Sequence, residues 1–330
     1  MVQIMGKEVG PTGYGLMGFT WRANPCSQEQ AFEAMREAIQ QGKVFWNGGE
    51  FYGTPEYNSM TLLDRYFAQY PEDADKIILS IKGGMDPVTH RPDGSPEGTR
   101  RTIDNCLRQL NGRKKLDMFE FARRDQNVDM GVSFDVIQKE YIDTGKVGGI
   151  SLSEVRAETI HEAAKVAKIV ACEVELSLFA TDVLYNGVAE ACAQYNIPLV
   201  AYSPIGRGFL TGEIKSFDDI PDGSFLKAIP RFQKGENFDN NIKLVHQVEA
   251  LAKKKGCSPA QLAIGWVRAL NGRPGMPTII PIPGATTAER VKENAKVVEL
   301  TDEDLAAIDQ ILDTFKPLGG RYPDFVPMET

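Results

Sequence analysis

Short apolar runs alternate with amphipathic stretches from one end of this chain to the other. The runs stop at glycine, proline or polar residues, which is typical of buried strands that end at open loops. Eight such strands alternating with helices predict an α/β fold, a (β/α)8 TIM barrel over residues 1–330, with active-site loops at the C-terminal ends of the strands. The predicted strands are residues 14–17, 44–47, 77–82, 116–121, 147–151, 169–174, 198–202 and 278–281.

Three segments between the runs carry the signals of a helix start. Ser27 followed by Gln30 indicates a capping box, and so does Ser258 followed by Gln261, where a proline also occupies the first helical position. Thr301 precedes three acidic residues and predicts a further helix near the C-terminus.

A doubly wound sheet is the competing architecture. The glycine spacing of its nucleotide-binding motif occurs at Gly13, Gly15 and Gly18, but these residues overlap the first predicted strand instead of following it. No linker-like segment divides the chain. The longest irregular region, about residues 206–240, is predicted to be a lid or binding loop, or else disordered.

Composition narrows the functional classes. Of 330 residues, 42% are hydrophobic and 25% charged, and the net charge of −8 disfavours nucleic-acid and anionic-membrane partners. No apolar run is long enough to span a bilayer, and the first residues do not resemble a signal peptide. The five cysteines form no CxxC pair and lie near no histidine cluster, so no disulfide framework and no metal site is predicted. We expect a reduced, cytoplasmic protein.

Two polar residues near strand ends carry the main chemical signal. Tyr52 follows Asn47 and two glycines, and Lys82 ends the next apolar run before two more glycines. In a barrel these three side chains would face one mouth. An ammonium lowers the pKa of a nearby phenol, so the pair predicts a proton donor for carbonyl chemistry. From residue types alone, a rim tyrosine beside a solvated lysine is the alternative.

Several motifs, in their order and spacing, make the chain resemble the aldo-keto reductase family over nearly its whole length. They are residues 47–53, 81–82, 145–147, 152–154, 201–204, 282–284 and 290–294. Within that family the chain most resembles the fungal pyridoxal reductases, at residues 10–15, 46–53 and 148–155. The resemblance implies a (β/α)8 barrel that uses NADPH to reduce a small-molecule carbonyl.

The same resemblance implies that Tyr52 protonates the carbonyl oxygen with the help of Lys82. Two positions depart from the wider family, because Asn47 replaces the usual aspartate and Ala122 replaces the usual histidine. With an amide in place of a carboxylate, we expect a lowered pKa for Lys82, while Asn47 orients the ammonium by accepting a hydrogen bond. Ala122 offers the carbonyl no donor, and losing one can cost roughly two to three orders of magnitude in rate.

The group that replaces the histidine is left open. His90, Glu50 and Arg123 are candidates by position, although His90 is more simply explained as a solvated loop residue. The pyridoxal reductase branch resembles this chain at both altered positions, so the departures do not imply an inactive protein.

Contacts to the nicotinamide half of NADPH follow from the resemblance. Ser153 would bond the nicotinamide amide, as would Glu173, which stands where glutamine is usual. Tyr202 would stack on the nicotinamide face, and the turn from Ser203 to Gly206 would line the diphosphate with backbone N–H groups. A rim aromatic and an ordinary turn are the alternatives.

The adenosine half would meet a later helix. Arg290 would bind the 2′-phosphate and favour NADPH over NADH, and Glu293 and Asn294 would face the adenine. A surface pair between Arg290 and Glu293 is the alternative. Thr286 stands where many family members carry lysine, which leaves the strength of the NADPH preference open.

A flat aromatic pocket for a ring substrate is predicted at Trp21, Trp46 and Phe51, with core packing as the alternative for each. The first functional hypothesis is reduction of pyridoxal to pyridoxine. The second is reduction of another aldehyde or ketone, and the third is a slowly turning cofactor-binding regulatory subunit. Neither the substrate nor the oligomeric state follows from the sequence.

Overall fold

Eight parallel strands form the centre of the structure, a computed structural model that describes residues 2–326 and 328–329. They pair in chain order, and a backbone hydrogen bond of 2.9 Å from Gly13 N to Pro281 O joins the first strand to the last. The arrangement confirms the predicted barrel. The strands are β3 (Tyr14–Gly15), β4 (Phe45–Gly49), β5 (Ile78–Gly83), β6 (Met118–Phe121), β7 (Ile150–Ser153), β8 (Ile169–Glu175), β9 (Leu199–Tyr202) and β10 (Ile279–Pro281).

Helices follow the strands and cover the outside of the barrel. None in the described part of the chain is both long and apolar enough to cross a membrane. The helices are α1 (Met17–Thr20), α2 (Gln28–Gln40), α3 (Ser59–Gln69), α4 (Pro96–Gln109), α5 (Met130–Val136, continued by a π-helical turn at Ile137–Ile142), α6 (Ala157–Val166), α7 (Val188–Gln194), α8 (Glu236–Lys255), α9 (Pro259–Ala269), α10 (Ala288–Ala295) and α11 (Asp302–Thr314).

The predicted helix starts hold, with one difference in detail. Ser258 with Gln261, and Thr301 with Asp304, form complete capping boxes at α9 and α11. Ser27 caps α2 by accepting from the backbone of Gln30. The Gln30 side chain instead donates to the carbonyl of Thr286, 2.8 Å away, so this box is only half formed because tertiary packing takes its second partner.

Two of the three glycines with nucleotide-motif spacing, Gly13 and Gly15, lie where the barrel closes. A Cβ on Gly13 would lie 2.8 Å from a methyl carbon of Ile282, and one on Gly15 would lie 3.0 Å from the Ile282 carbonyl oxygen. The backbone of β3 therefore approaches the segment after β10 more closely than a side chain permits. This packing explains why residues 13 and 15 are glycine.

A hairpin that the apolar pattern did not predict precedes the barrel. Strands β1 (Val2–Ile4) and β2 (Lys7–Val9) are antiparallel, and the turn between them has positive φ at Met5 and Gly6. Ile4 and Val9 are buried among apolar residues that line the barrel interior. The hairpin therefore closes the N-terminal end of the barrel.

Strand alternation fills the barrel interior in two layers. The layer nearer the hairpin is apolar: Phe45, Ile78, Met118, Ala171, Val200 and Ile280. Two residues further along their strands, the inward positions become polar at Asn47, Ser80, Glu120 and Glu173, all buried. Residues between these positions, such as Trp46 and Leu79, pack against the helices.

The long irregular region is ordered and packed. It contains short 3₁₀ turns at Gly206–Thr211, Phe217–Asp219, Phe225–Ala228 and Pro230–Phe232. Phe209, Phe232 and Phe238 pack ring against ring, with centroids 4.8 Å and 5.4 Å apart. This outcome favours the binding-loop interpretation over disorder.

Candidate active site

A buried ion pair occupies the mouth-side end of the barrel interior. Lys82 Nζ lies 2.6 Å from Glu173 Oε1, and the two side chains are only 6% and 3% exposed. Asn47 Nδ2 donates to Glu173 Oε2 at 2.5 Å and to Glu120 Oε1 at 3.1 Å. Four strands therefore contribute one side chain each to a single connected group.

The sequence prediction for Lys82 is corrected by this arrangement. Burial lowers the pKa of its ammonium, but Glu173, Tyr52 and Glu120 together hold the pKa well above its ordinary value. The expected hydrogen bond from Lys82 to Asn47 is not among those of the described residues, since Asn47 donates to carboxylates instead. Glu173 is the carboxylate paired with Lys82.

Glu173, which was expected to accept from the nicotinamide amide, is paired with Lys82 in the structure. Its neighbour Glu120 is buried in the same layer, where Ser151 Oγ donates to Glu120 Oε2 at 3.2 Å. Desolvation raises the pKa of Glu120 well above its ordinary value, and the adjacent Glu173 carboxylate raises it further.

Tyr52 lies beyond the end of β4 and is 7% exposed. Thr20 fixes its backbone by donating to the Tyr52 carbonyl at 2.6 Å. Burial raises the pKa of Tyr52 to about 12, although Lys82 acts in the opposite direction as the sequence predicted. The expected net lowering is therefore wrong, because desolvation of the phenolate outweighs the ammonium.

Two of the three predicted aromatic residues flank Tyr52. Trp21 stacks on it with ring centroids 5.1 Å apart, and Phe51 meets it edge-on at 5.0 Å. Trp21 is 49% exposed, so it presents a ring face to solvent beside Tyr52.

Trp46 does not belong to this pocket. It is fully buried between the sheet and α3, where its ring lies 5.4 Å from that of Tyr66. The strand period explains the error, because Phe45 and Asn47 point into the barrel and the residue between them must point outward.

The candidates for the missing histidine separate clearly. His90 is exposed in its loop, and Glu50 turns to Asn105 Nδ2 at 2.7 Å and to the Thr102 hydroxyl. Arg123 follows Ala122 directly, and its guanidinium lies 5.2 Å from the centroid of the Tyr322 ring. Of the three candidates, Arg123 is the one that lies beside another residue of the barrel mouth, Tyr322.

The residues expected at the nicotinamide lie at adjacent strand ends. Ser153 Oγ is buried and has no hydrogen-bond partner among the described residues, so a polar group of a ligand would satisfy it. The Tyr202 ring lies 5.0 Å from Lys82 Nζ, and its hydroxyl is 2.8 Å from the hydroxyl of Tyr322. These features fit a nicotinamide amide and ring.

The turn after β9 has a strained backbone. Ser203 and Arg207, neither of them glycine, have φ of 51° and 57°, and Gly206 and Gly208 are also positive. Strain of this kind is characteristic of functional turns. The N–H groups of Gly206 and Gly208 donate to the carbonyl oxygens of Ser203 and Ile205 within the turn, so the diphosphate contact expected here stays a prediction.

Helix α10 carries the residues expected at the adenosine end. Arg290 is held by Glu293 at 2.8 Å and by a close ion pair with Glu213, which belongs to the irregular region. Asn294 is buried. The surface pair that competed with phosphate binding is therefore present, and a bound phosphate would share Arg290 with two carboxylates.

Comparison with known proteins assigns the family. The sequence model described as the Aldo/keto reductase family matches residues 11–313. The chain belongs to the aldo-keto reductases.

A Schizosaccharomyces pombe protein named probable pyridoxal reductase 2 is 41% identical, over 97% of this chain and 96% of its own length. A Saccharomyces cerevisiae protein with the provisional name pyridoxal reductase is 40% identical, over 94% and 95%. A glycerol dehydrogenase structure from Gluconobacter oxydans superimposes with a TM-score of 0.81 at 22% identity, covering 99% of this chain and 98% of the other, and shares the fold.

The C-terminal segment of this aldo-keto reductase crosses the barrel mouth. Arg321 bridges Glu154 and Glu175, at 3.0 Å from each, and all three side chains are less than a tenth exposed. The next residue, Tyr322, has the guanidinium carbon of Arg207 4.5 Å from its ring centroid. The segment follows helix α11, and ion pairs and ring contacts hold it to the mouth.

Sequence reasoning missed several of these residues. Glu120 and Glu175 could have been found, because each is an acidic residue in or next to an apolar strand. A carboxylate at such a position is buried only when polar or charged groups pair with it. Arg321 and Tyr322 carried none, because their partners are more than a hundred residues away along the chain. Within the described residues, no cluster of histidine, cysteine, aspartate and glutamate has the arrangement of a metal site.

Proposed function

We propose that this aldo-keto reductase uses NADPH to reduce an aldehyde to an alcohol in the cytoplasm, with pyridoxal as substrate and pyridoxine as product. The observation that carries the proposal is the buried Tyr52, placed at the barrel mouth in the electrostatic field of Lys82 and flanked by two aromatic rings. The names of the two yeast relatives support the choice of pyridoxal.

Tyr52 is the proposed proton donor. Its pKa of about 12 keeps the phenol protonated at neutral pH, so the proton is available when negative charge develops on a carbonyl oxygen. Lys82 stabilises the phenolate that remains, because it stays charged beside Glu173. Asn47 fixes Glu173 by donating to its second oxygen. NADPH, when bound, supplies the hydride.

The nicotinamide half of NADPH would be held by residues at the ends of β7 to β9. Ser153 would bond the amide, Tyr202 would face the ring, and the turn from Ser203 to Gly206 would receive the diphosphate. Glu173 stays with Lys82 in this proposal and is not a cofactor ligand.

The adenosine half would meet α10. Arg290 would take the 2′-phosphate as a planar fork, with Glu293 and Asn294 near the adenine. Trp21, half exposed and packed edge-on against Phe51, would offer its ring to the substrate beside Tyr52. A heteroaromatic aldehyde could stack on this ring.

Purified protein mixed with NADPH and pyridoxal tests the proposal through loss of the reduced-nicotinamide absorbance and chromatographic identification of pyridoxine. Tyr52→Phe should lower kcat by at least ~10²-fold and leave NADPH affinity nearly intact, since only the proton donor is lost. Tyr185→Phe, an exposed tyrosine, is the matched control. Unchanged turnover in Tyr52→Phe would refute the donor assignment.

The alternatives have distinct outcomes in the same assay. No oxidation of NADPH with pyridoxal, but rapid oxidation with other aldehydes or ketones, would replace the substrate and keep the reaction. Tight NADPH binding without turnover on any carbonyl would identify a cofactor-binding regulatory protein.

A further inference from the structure

The counter-ion of Lys82 lies on a different strand from the one where its family resemblance places it. The family resemblance implies a carboxylate at residue 47 on β4 and a glutamine at residue 173 on β8, and this chain has Asn47 and Glu173 at these positions. The two positions are in direct contact, because Asn47 Nδ2 donates to Glu173 Oε2. Amide and carboxylate have exchanged positions across one hydrogen bond.

We propose that Glu173 is the positioning residue for Lys82, holding its ammonium charged and aimed at Tyr52 in place of the aspartate missing from residue 47. The inference deepens the proposed function and rests on it for the role of Tyr52. It differs from the hypothesis drawn from the sequence, in which the Glu173 carboxylate accepts from the nicotinamide amide.

Burial makes this assignment exclusive. Lys82 is 5% exposed and has no other ion pair among the described residues, and an isolated buried ammonium is too costly to persist in its charged form. Tyr202 offers only a ring face at 5.0 Å, which helps a cation less than a carboxylate does. Glu173 is thus the group on which the charge of Lys82 depends.

Glu120 is the second carboxyl group beside the ion pair. Desolvation and the neighbouring Glu173 carboxylate raise the pKa of Glu120, while Lys82 acts in the opposite direction. Its two oxygens accept hydrogen bonds from Asn47 and Ser151. The titratable groups that face Lys82 are then Glu173 from β8, Glu120 from β6, Tyr52 from the loop after β4 and Tyr202 from β9.

A reciprocal exchange tests the proposal in the full-length protein. Glu173→Gln should lower kcat with pyridoxal by ~10²-fold, while the Kd for NADPH changes by less than about threefold. The alkaline limb of the kcat–pH profile should move to lower pH, because the ammonium loses its proton more easily. The double variant Asn47→Asp/Glu173→Gln places the carboxylate on β4. Its kcat should be at least tenfold higher than that of Glu173→Gln, and the alkaline limb of its pH profile should return to the original pH.

Two results would overturn the inference. One is a Glu173→Gln variant with unchanged kcat and pH profile but an NADPH Kd raised tenfold or more, which would assign Glu173 to the cofactor. The other is a double variant no more active than Glu173→Gln alone, which would show that the two positions do not exchange roles.

Thermal unfolding separates this inference from the proposed function, because it requires no substrate. Glu173→Gln leaves a buried lysine unpaired and should lower Tm, whereas Lys82→Met/Glu173→Gln removes both charges and should unfold at a higher temperature than Glu173→Gln alone. Additive effects of the two substitutions would refute the ion pair even if pyridoxal proves to be reduced. If the two substitutions are coupled in Tm but the protein reduces no carbonyl, the proposed function is refuted and the ion pair stands.

Discussion

Lys43 is a buried lysine at the N-terminal end of β4, far from the barrel mouth, and its lowered pKa can be tested quantitatively. It precedes β4, is 1% exposed, and contacts the Thr12 hydroxyl and, at 3.5 Å, the carbonyl oxygen of Asn294. It has no carboxylate partner among the described residues. Desolvation, and then the charge of Arg268, lower its pKa from 10.5 to about 7.

The stability consequence follows from linkage. Because the folded-state pKa lies below the unfolded value, the folded protein binds fewer protons between about pH 7 and 10.5, and stability rises with pH across that window. A shift from 10.5 to about 7 corresponds to a penalty of ~5 kcal/mol at pH 7 and below. At pH 9 the remaining penalty is ~2 kcal/mol.

Lys43→Met should therefore stabilise the protein at pH 7. The two lost hydrogen bonds offset ~1 kcal/mol each, which leaves a net gain of ~3 kcal/mol at pH 7 and almost none at pH 9. Urea unfolding at both pH values measures the difference, with the exposed Lys253→Met as the control. An equal effect of Lys43→Met at the two pH values would refute the lowered pKa.

Two further predictions concern the mouth and the cofactor. Trp21→Ala should raise KM for ring aldehydes by ~10-fold with little change in Tm, whereas Trp46→Ala should cost ~3–5 kcal/mol of stability because it empties a core position. Steady-state kinetics and urea unfolding distinguish the two variants. A catalytic effect of Trp46→Ala without loss of stability would contradict its assignment to the core. Arg290→Ala should weaken NADPH by ~10-fold and NADH little, while Glu213→Gln should tighten NADPH by freeing the guanidinium. Equal losses for both cofactors, measured by fluorescence titration, would argue against a 2′-phosphate contact.

The architecture was predictable because each barrel strand leaves a local trace. All eight predicted runs overlap β3–β10, since an apolar segment that ends at glycine or a polar residue is visible in one window of sequence. The N-terminal hairpin was missed because its strands have three residues each, too few for a period to show. The half-formed box at Ser27 failed for a tertiary reason, since the Gln30 side chain found a partner on the opposite side of the barrel seam.

The candidate site was predictable as a set of residues more than as a set of contacts. Tyr52 follows β4, Lys82 lies near the end of β5 and Ser153 ends β7, so all three are at the same end of the barrel. Their partners depend on which side chains meet across the barrel, and that is fixed by strand order and stagger instead of by local pattern. Glu173 shows the consequence, because its identity suggested a cofactor ligand and its position makes it the partner of Lys82.

The C-terminal segment has a practical consequence for anyone who produces this enzyme. Arg321 and Tyr322 are fastened to the mouth, and Glu329 still bonds the Thr159 hydroxyl at 2.8 Å. An insertion within this segment would therefore disturb the ion pairs and ring contacts at the barrel mouth. The hairpin of β1 and β2 closes the other end of the barrel, so an insertion at its turn would leave those contacts in place.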